Sequence, residues 1–291
     1  MKIKEDIILI AGPTASGKTG LAIDLARAND GLIINADSMQ VYADLRVLTA
    51  RPSSEEEAFA PHLLFGHKDG ATAYSVAHWI EDVRPFLERS KTEKRKLVIV
   101  GGTGLYFNSL LQGLSPMPEI DPDVRTKWRN EDQVTQRLHD RLGELDPEAA
   151  AVLNPMDRQR VMRALEIFET TGKSILEWQE GEGAPVLPEG AEIKRILLMP
   201  ERSVLHERIN KRFDLMLDEG ALQEVNALLE RELDPALPVM KAIGVPQLAA
   251  YLRGELSLED AAERAKAASR QYAKRQSTWF RNSFDENWKI F

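Results

Sequence analysis

Cysteine is absent from the 291 residues, which removes disulfides and every thiolate metal site from consideration. The five histidines, His62, His67, His78, His139 and His206, are not grouped at metal-ligand spacing and read as ordinary polar or core residues. No run approaches the roughly 20 apolar residues of a membrane span. The polar start, Met1 to Asp6, lacks the apolar region of a signal peptide. The chain is therefore expected to be cytoplasmic, with no membrane partner. Net positive charge is also missing: the formal charge is −8, which argues against a general nucleic-acid binder. Its local distribution argues the other way. From Arg264 to Arg281 there are six basic residues (Arg264, Lys266, Arg270, Lys274, Arg275, Arg281) and no acidic one. Such a run is either a phosphate-binding stripe or a solvated helix face.

What is present begins with an apolar run, Ile7 to Ala11, a Gly-rich turn, and helical spacing over Leu21 to Ala26. A second short strand, Leu32 to Ile34, runs into Asn35, Ala36, Asp37 and Ser38. A third, Leu97 to Val100, runs into Gly101 to Gly104, and Tyr74 to Leu87 between them spaces its apolar residues as one helix face. Strands alternating with helices predict a largely parallel sheet whose ligands sit beyond the carboxyl ends of the strands. Turn-forming residues from Leu114 to Pro122, and again from Gly181 to Gly190, bracket a charged helical stretch, after which Ile193 to Met199 reads as strand again. The expected fold is an α/β P-loop NTPase-like parallel sheet flanked by helices. Residues 1–122 and 182–291 form that core, and 123–181 form a helical insertion domain. The last helix is expected to start at Ser257, an N-cap with Asp260 three residues on.

Gly12, Pro13, Thr14, Ala15, Ser16, Gly17, Lys18 and Thr19 match G-x-x-x-x-G-K-[ST] between strand and helix, where that pattern has physical meaning. Glycines let backbone N–H groups converge on phosphate oxygens, the helix N-terminus adds its dipole, Lys18 neutralises charge, and the Thr19 hydroxyl can hold Mg²⁺. An NTP-hydrolysing relative would carry an apolar strand ending in Asp. Here Leu97 to Val100 ends in Gly-Gly, and the acidic residue, Asp37, follows the second strand instead. Group transfer to a bound acceptor is favoured over hydrolysis. Three readings stay open on these grounds: a kinase acting on a small metabolite, a transferase with diphosphate as leaving group, and a nucleotide-gated RNA-binding module.

Five segments in order, Gly12 to Thr19, Asp37 to Tyr42, Gly101 to Tyr106, Asp157 to Leu165 and Ala273 to Phe280, resemble the tRNA dimethylallyltransferase (tRNA isopentenyltransferase) family across nearly the whole chain. The chain lacks the zinc-finger extension of eukaryotic relatives, which points to the bacterial type. It departs from the family at Arg46 to Pro52, where relatives commonly read Asp-Ile-Gly-Thr-Ala-Lys-Pro, and at Leu63, where a histidine is common. The resemblance implies transfer of dimethylallyl from its diphosphate to N6 of the adenosine 3′ of the tRNA anticodon, with Mg²⁺; a monomer is expected. It implies Asp37 as general base, Thr103 as a contact to the target nucleotide, and Arg212, from a helix whose apolar face is Leu205, Ile209, Phe213 and Met216, on the leaving diphosphate. It assigns tRNA contacts to Asp37, Ser38, Met39, Gln40, Thr103 and Arg125. Further tRNA contacts are expected from Gln159, Arg160, Val161, Met162 and Arg163 in the insertion, and from Arg270, Lys274 and Arg281, which share one face of the last helix at spacings of four and seven. Read as plain structure instead, Asp37 would cap a following helix, Thr103 would cap its own, Arg212 would lie on the surface, and Trp279 and Phe280 would be core.

Overall fold

The computed structural model describes residues 4–93, 95–130, 134–181 and 183–291. Met1 to Ile3, at the polar N-terminus, and Glu182, in the second turn-rich break, lie outside the described residues. Along the chain run β1 (Ile7–Ala11), α1 (Lys18–Asn29), β2 (Leu32–Asn35), α2 (Ser54–Glu57), β3 (His62–Leu63), α3 (Val76–Glu93), β4 (Leu97–Gly101) and α4 (Gly104–Gln112). Five helices follow: α5 (Pro122–Asn130), α6 (Thr135–Leu145), α7 (Pro147–Val152), α8 (Arg158–Thr171) and α9 (Ile175–Gln179). Then come β5 (Ile193–Leu197), α10 (Arg202–Asp218), α11 (Ala221–Glu230), α12 (Val245–Leu252), α13 (Leu258–Ser283) and β6 (Lys289–Ile290).

The chain forms two compact units, one up to Leu111 and from Val186, the other from Gln112 to Pro185. In the first, all six strands pair parallel in the order β3-β2-β4-β1-β5-β6. Helical crossovers cover both faces of such a sheet, so its central strands are apolar throughout rather than alternating. β1, β2 and β4 are buried at every position. The apolar side chains of α1, Ala22, Ile23, Leu25 and Ala26, pack on Ile8, Ile10, Ile33, Val98 and Val100. A second apolar cluster joins Val41, Tyr42, Leu45 and Leu48 to α10, α11, α12 and α13. α10 buries Leu205, Ile209, Phe213 and Met216, the expected face. α13 begins as expected, with the Ser257 hydroxyl accepting from the Asp260 N–H at 3.0 Å. α3 starts two residues later than its apolar spacing predicts and runs six residues further, through Pro85. The short strands β3 and β6 were not foreseen: two residues carry no periodicity.

The second unit closes on Ile120, Trp128, Leu138, Leu142, Ala149, Val161, Ala164, Leu165, Ile167 and Ile175. Asp146 caps α7, Asp157 caps α8 by accepting from the Arg160 N–H, and Ser174 with Glu177 forms a capping box on α9. Its two ends run side by side at Gly113 and Gly183. A Cβ on Gly113 would stand 2.4 Å from the Ala184 carbonyl oxygen, and one on Gly183 would stand 2.5 Å from the Leu114 nitrogen. The crossing lies next to the unit's ends at Gln112 and Pro185.

Candidate active site

The phosphate loop follows β1. Gly17 holds φ at +91° as the N-cap of α1, a left-handed conformation that costs any other residue about 1–2 kcal/mol. Gly12 is needed for space, since a Cβ there would meet the Ser16 hydroxyl at 2.7 Å and the Leu198 carbonyl at 2.8 Å. The Lys18 ammonium donates to the Pro13 carbonyl at 3.2 Å. Two arginines of α10, one turn apart, reach the same loop. Arg212 donates to the Thr14 hydroxyl, and Arg208 reaches the Ala15 carbonyl at 3.5 Å. Arg212 is therefore not the surface residue that the plain reading of its helix allowed.

Asp37 stands two residues past β2, with its backbone fixed by a fully buried Asn35. The Asn35 amide donates to the carbonyls of Asp37 at 2.9 Å and Leu64 at 3.1 Å, and accepts from the Asp37 N–H at 2.9 Å. Trp79, stacked on Tyr106, donates to the Asn35 carbonyl at 2.7 Å. One carboxylate oxygen of Asp37, Oδ1, accepts from the Met39 N–H at 3.0 Å. This is a turn contact, and no helix follows for Asp37 to cap: the next one, α2, starts at Ser54. Thr103 does not cap α4 either. Its hydroxyl accepts from the Ser38 N–H at 2.9 Å and donates to the Ser38 hydroxyl at 3.3 Å, tying the Gly-rich turn after β4 to the Asp37 turn. Gly101 allows this approach, because a Cβ would fall 2.0 Å from the Ala36 carbonyl oxygen.

The electrostatics converge on Asp37. Burial pushes the Lys18 ammonium down to about 8, while the Asp37 charge opposes that shift and Arg212 adds to it. Burial lowers Arg212 as well, again opposed by Asp37. Burial raises the phenols of Tyr106 and Tyr272, and the Asp37 charge raises both further. Two cations and two phenols thus feel the charge of one carboxylate. Its Oδ2 lies 3.2 Å from the place where a Gly102 Cβ would be. Such a site can hold a polyanion beside a proton acceptor.

The other expected residues fall into two groups. Ser38, Met39 and Gln40 lie half-buried in the Asp37 turn, and Gln40 donates to the carbonyls of Thr49 and Ala50 at 2.9 Å each. The divergent stretch after Tyr42 is folded inward too: the N–H groups of Arg46, Val47 and Leu48 all donate to the Glu224 carboxylate of α11. On α13, Lys274 and Arg281 are exposed, while Arg270 donates to Asn210 at 2.6 Å. Lys266 of the basic run is 9% exposed and bridges Asp214 at 2.7 Å and Glu263 at 3.0 Å, so it supports α13 against α10. Phe280 is core. Trp279, half-buried, packs edge-on against Phe280 and Phe284 and stands where a Cβ on Gly104 would be.

In the second unit Arg125, Gln159 and Arg160 are exposed and Met162 half-buried. One expectation there is corrected. Val161 is 0% exposed, in the apolar core of that unit, and its side chain is not a tRNA contact. Arg163, half-buried, pairs at 3.4 Å with the carboxylate of Glu166, which is itself buried. Asn35 and Gln276 were not foreseen at all. The Gln276 amide of α13 reaches both the phosphate loop and the Gly-rich turn.

Comparison with known proteins agrees with this geometry. The IPP transferase family model matches residues 40–283, and the isopentenyl transferase model matches residues 5–60. The chain is 52% identical to the tRNA dimethylallyltransferase of a Chelativorans species over 97% of both chains. It is also 52% identical to that of Azorhizobium caulinodans, over 98% of this chain and 91% of the relative. Among solved structures, the tRNA isopentenylpyrophosphate transferase of Bacillus halodurans is 36% identical with a TM-score of 0.70, covering 99% of this chain and 90% of that one. A eukaryotic dimethylallyltransferase, caught acting on tRNA, is 30% identical with a TM-score of 0.78, covering 95% of this chain and 70% of that one. With this likeness along nearly its full length, the chain belongs to the tRNA dimethylallyltransferase family.

Proposed function

We propose that the site takes dimethylallyl diphosphate on the phosphate loop and transfers the dimethylallyl group to N6 of the adenosine immediately 3′ of the anticodon. The carrying observation is that the phosphate loop, to which Arg212 donates through Thr14, and the Asp37 turn, tied by Thr103 to the Gly-rich turn, follow strands paired on either side of β4 in the sheet, where the Lys18 and Arg212 charges feel that of Asp37. An adenine N6 lone pair is delocalised into the ring, so attack on the prenyl C1 needs both a proton acceptor and an anion-stabilised leaving group. As the N6–C1 bond forms, the C1–O bond breaks and its electron pair departs with the diphosphate, which Lys18, Arg212 and loop N–H groups hold. The N6 proton passes to the Asp37 carboxylate, whose other contact, to the Met39 N–H, holds it in place. Thr103 and Ser38 present hydroxyls on the acceptor side.

Among the described residues no group of three or more His, Cys, Asp or Glu is arranged to hold a metal. The loop nevertheless suits Mg²⁺, which typically takes one or two protein oxygens and fills its shell with phosphate and water. Thr19 lies in the first turn of α1, and the buried Ser16 hydroxyl in the same loop has no protein partner among the described residues. Thr19 would hold the ion, which would neutralise charge on the leaving diphosphate.

The target base sits in a single-stranded loop, where flipping it out costs least. We assign phosphate contacts to Lys274 and Arg281 and to Arg270 beside them, and assign Arg125, Gln159, Arg160 and Met162 to the tRNA surface of the second unit. The expected monomeric state and cytoplasmic location belong to this reading. The test is incubation with radiolabelled dimethylallyl diphosphate and tRNA, then nuclease digestion. Label on N6 of a single adenosine is expected. Phosphoryl transfer from labelled ATP to a metabolite, with unlabelled tRNA, would replace this function with a kinase.

A further inference from the structure

Gln276 is buried on α13, 7% exposed, yet its two hydrogen bonds go to neither neighbouring turn of its own helix. Its Oε1 accepts from the Thr14 N–H of the phosphate loop at 2.9 Å, and its Nε2 donates to the Gly102 carbonyl of the Gly-rich turn at 2.9 Å. The partners themselves fix the amide's orientation, since one is an obligate donor and the other an obligate acceptor. A carboxylate could make the first bond and not the second, a lysine the second and not the first. One planar group thus bridges the loop after β1 and the loop after β4 at the carboxyl ends of adjacent strands.

Gly102 shows how tightly the bridge sits against the chemistry. A Cβ there would stand 2.4 Å from the Gln276 Nε2 and 3.2 Å from the Asp37 Oδ2, so amide and carboxylate are separated by no more than those two distances together. Through Gly102 the bridge reaches Thr103, which is bonded to Ser38 and so to the Asp37 turn. α13 does not depend on it for anchorage, having Ala261, Ala265, Ala273 and Phe280 in the core and Lys266 paired to Asp214. The Thr14 N–H bonded to Gln276 is also not free for phosphate, so the amide adds nothing to donor affinity directly.

Resting on the function proposed above, we infer that Gln276 is a positioning residue, a strut that sets the separation between the donor loop and the acceptor turn and so aligns prenyl C1 with N6. Misplacing reacting atoms by about 1 Å costs on the order of 10²-fold in rate without requiring weaker binding. The prediction is a split between rate and affinity.

Single-turnover prenylation at saturating dimethylallyl diphosphate and tRNA is measured for wild type, Gln276→Leu and Gln276→Glu, with both dissociation constants and Tm. Gln276→Leu should lose about 10- to 100-fold in rate while both affinities stay within about threefold. Gln276→Glu keeps the acceptor but regains a donor toward Gly102 only when its carboxyl is protonated, so its rate relative to wild type should rise as pH falls. A rate within threefold of wild type in Gln276→Leu, or a loss expressed wholly as weaker donor affinity, would overturn the strut. Where Gln276→Leu fails to fold, a pH-independent ratio for Gln276→Glu overturns it instead. Wild-type transfer to tRNA in the same assay tests the underlying reading separately, because the strut is scored only as a ratio to wild type.

Discussion

Raising the pH should release dimethylallyl diphosphate from this site well before any ordinary lysine would lose its proton. Burial beside Arg212 brings the Lys18 ammonium from the usual 10.5 to about 8 in the unliganded protein. A bound diphosphate restores the counter-charge that burial removed, so in the complex the ammonium pKa rises and binding takes up a proton. The sign follows from linkage: affinity is full below about pH 8 and falls by up to tenfold per unit above it. With a free-state value of about 8, roughly 0.8 of a proton is taken up per diphosphate at pH 8.5, and affinity at pH 10 is about 100-fold below that at pH 7. Isothermal titration calorimetry in two buffers of different ionisation enthalpy reads the uptake directly, and Lys18→Ala should bind weakly with no uptake in this range. An affinity flat from pH 7 to 10, with no proton exchanged, would refute the account of Lys18 as a desolvated cation facing the phosphates. The same shift acts on folding in the opposite direction. The unliganded native state binds fewer protons than the unfolded chain between about pH 8 and 10.5, so this group's penalty on stability is complete below that window and relieved across it.

Asp37→Asn keeps the Met39 contact but removes basicity, so the single-turnover rate should fall about 10²- to 10⁴-fold with little change in either affinity or in Tm; a near-wild-type rate would take Asp37 out of the mechanism. Replacing Lys274 and Arg281 together with Ala should reduce the slope of log affinity for tRNA against log salt by about two, as measured by filter binding, whereas an unchanged slope would return both to solvated surface. Gly101→Ala forces a methyl onto the Ala36 carbonyl oxygen and should cost about 1–3 kcal/mol or more by chemical denaturation while displacing the Asp37 turn; full stability would show that the turn can shift freely.

Local sequence determined the elements that local physics controls. An uninterrupted apolar run followed by Gly-rich sequence and a Lys-Thr pair marks β1, the phosphate loop and α1 from neighbouring residues alone, and the spacing of Leu205, Ile209, Phe213 and Met216 marks the buried face of α10. Asp37 stands out because it follows the carboxyl end of a strand in an α/β pattern, where ligands collect. The tertiary structure decided what depends on meetings between residues far apart in the chain. Arg212 became a phosphate-loop partner because α10 packs where its guanidinium meets Thr14, and Gln276 became a bridge across 262 and 174 residues of sequence. No periodicity encodes either meeting. It also sorted charges that look alike in the sequence: Lys266 turned inward to Asp214 and Arg163 to Glu166, while Lys274 and Arg281 remained in solvent. A basic run states how many cations a helix carries. Which of them face a partner depends on the acidic neighbours that packing supplies, because a half-buried cation is held by whichever carboxylate the fold places within reach.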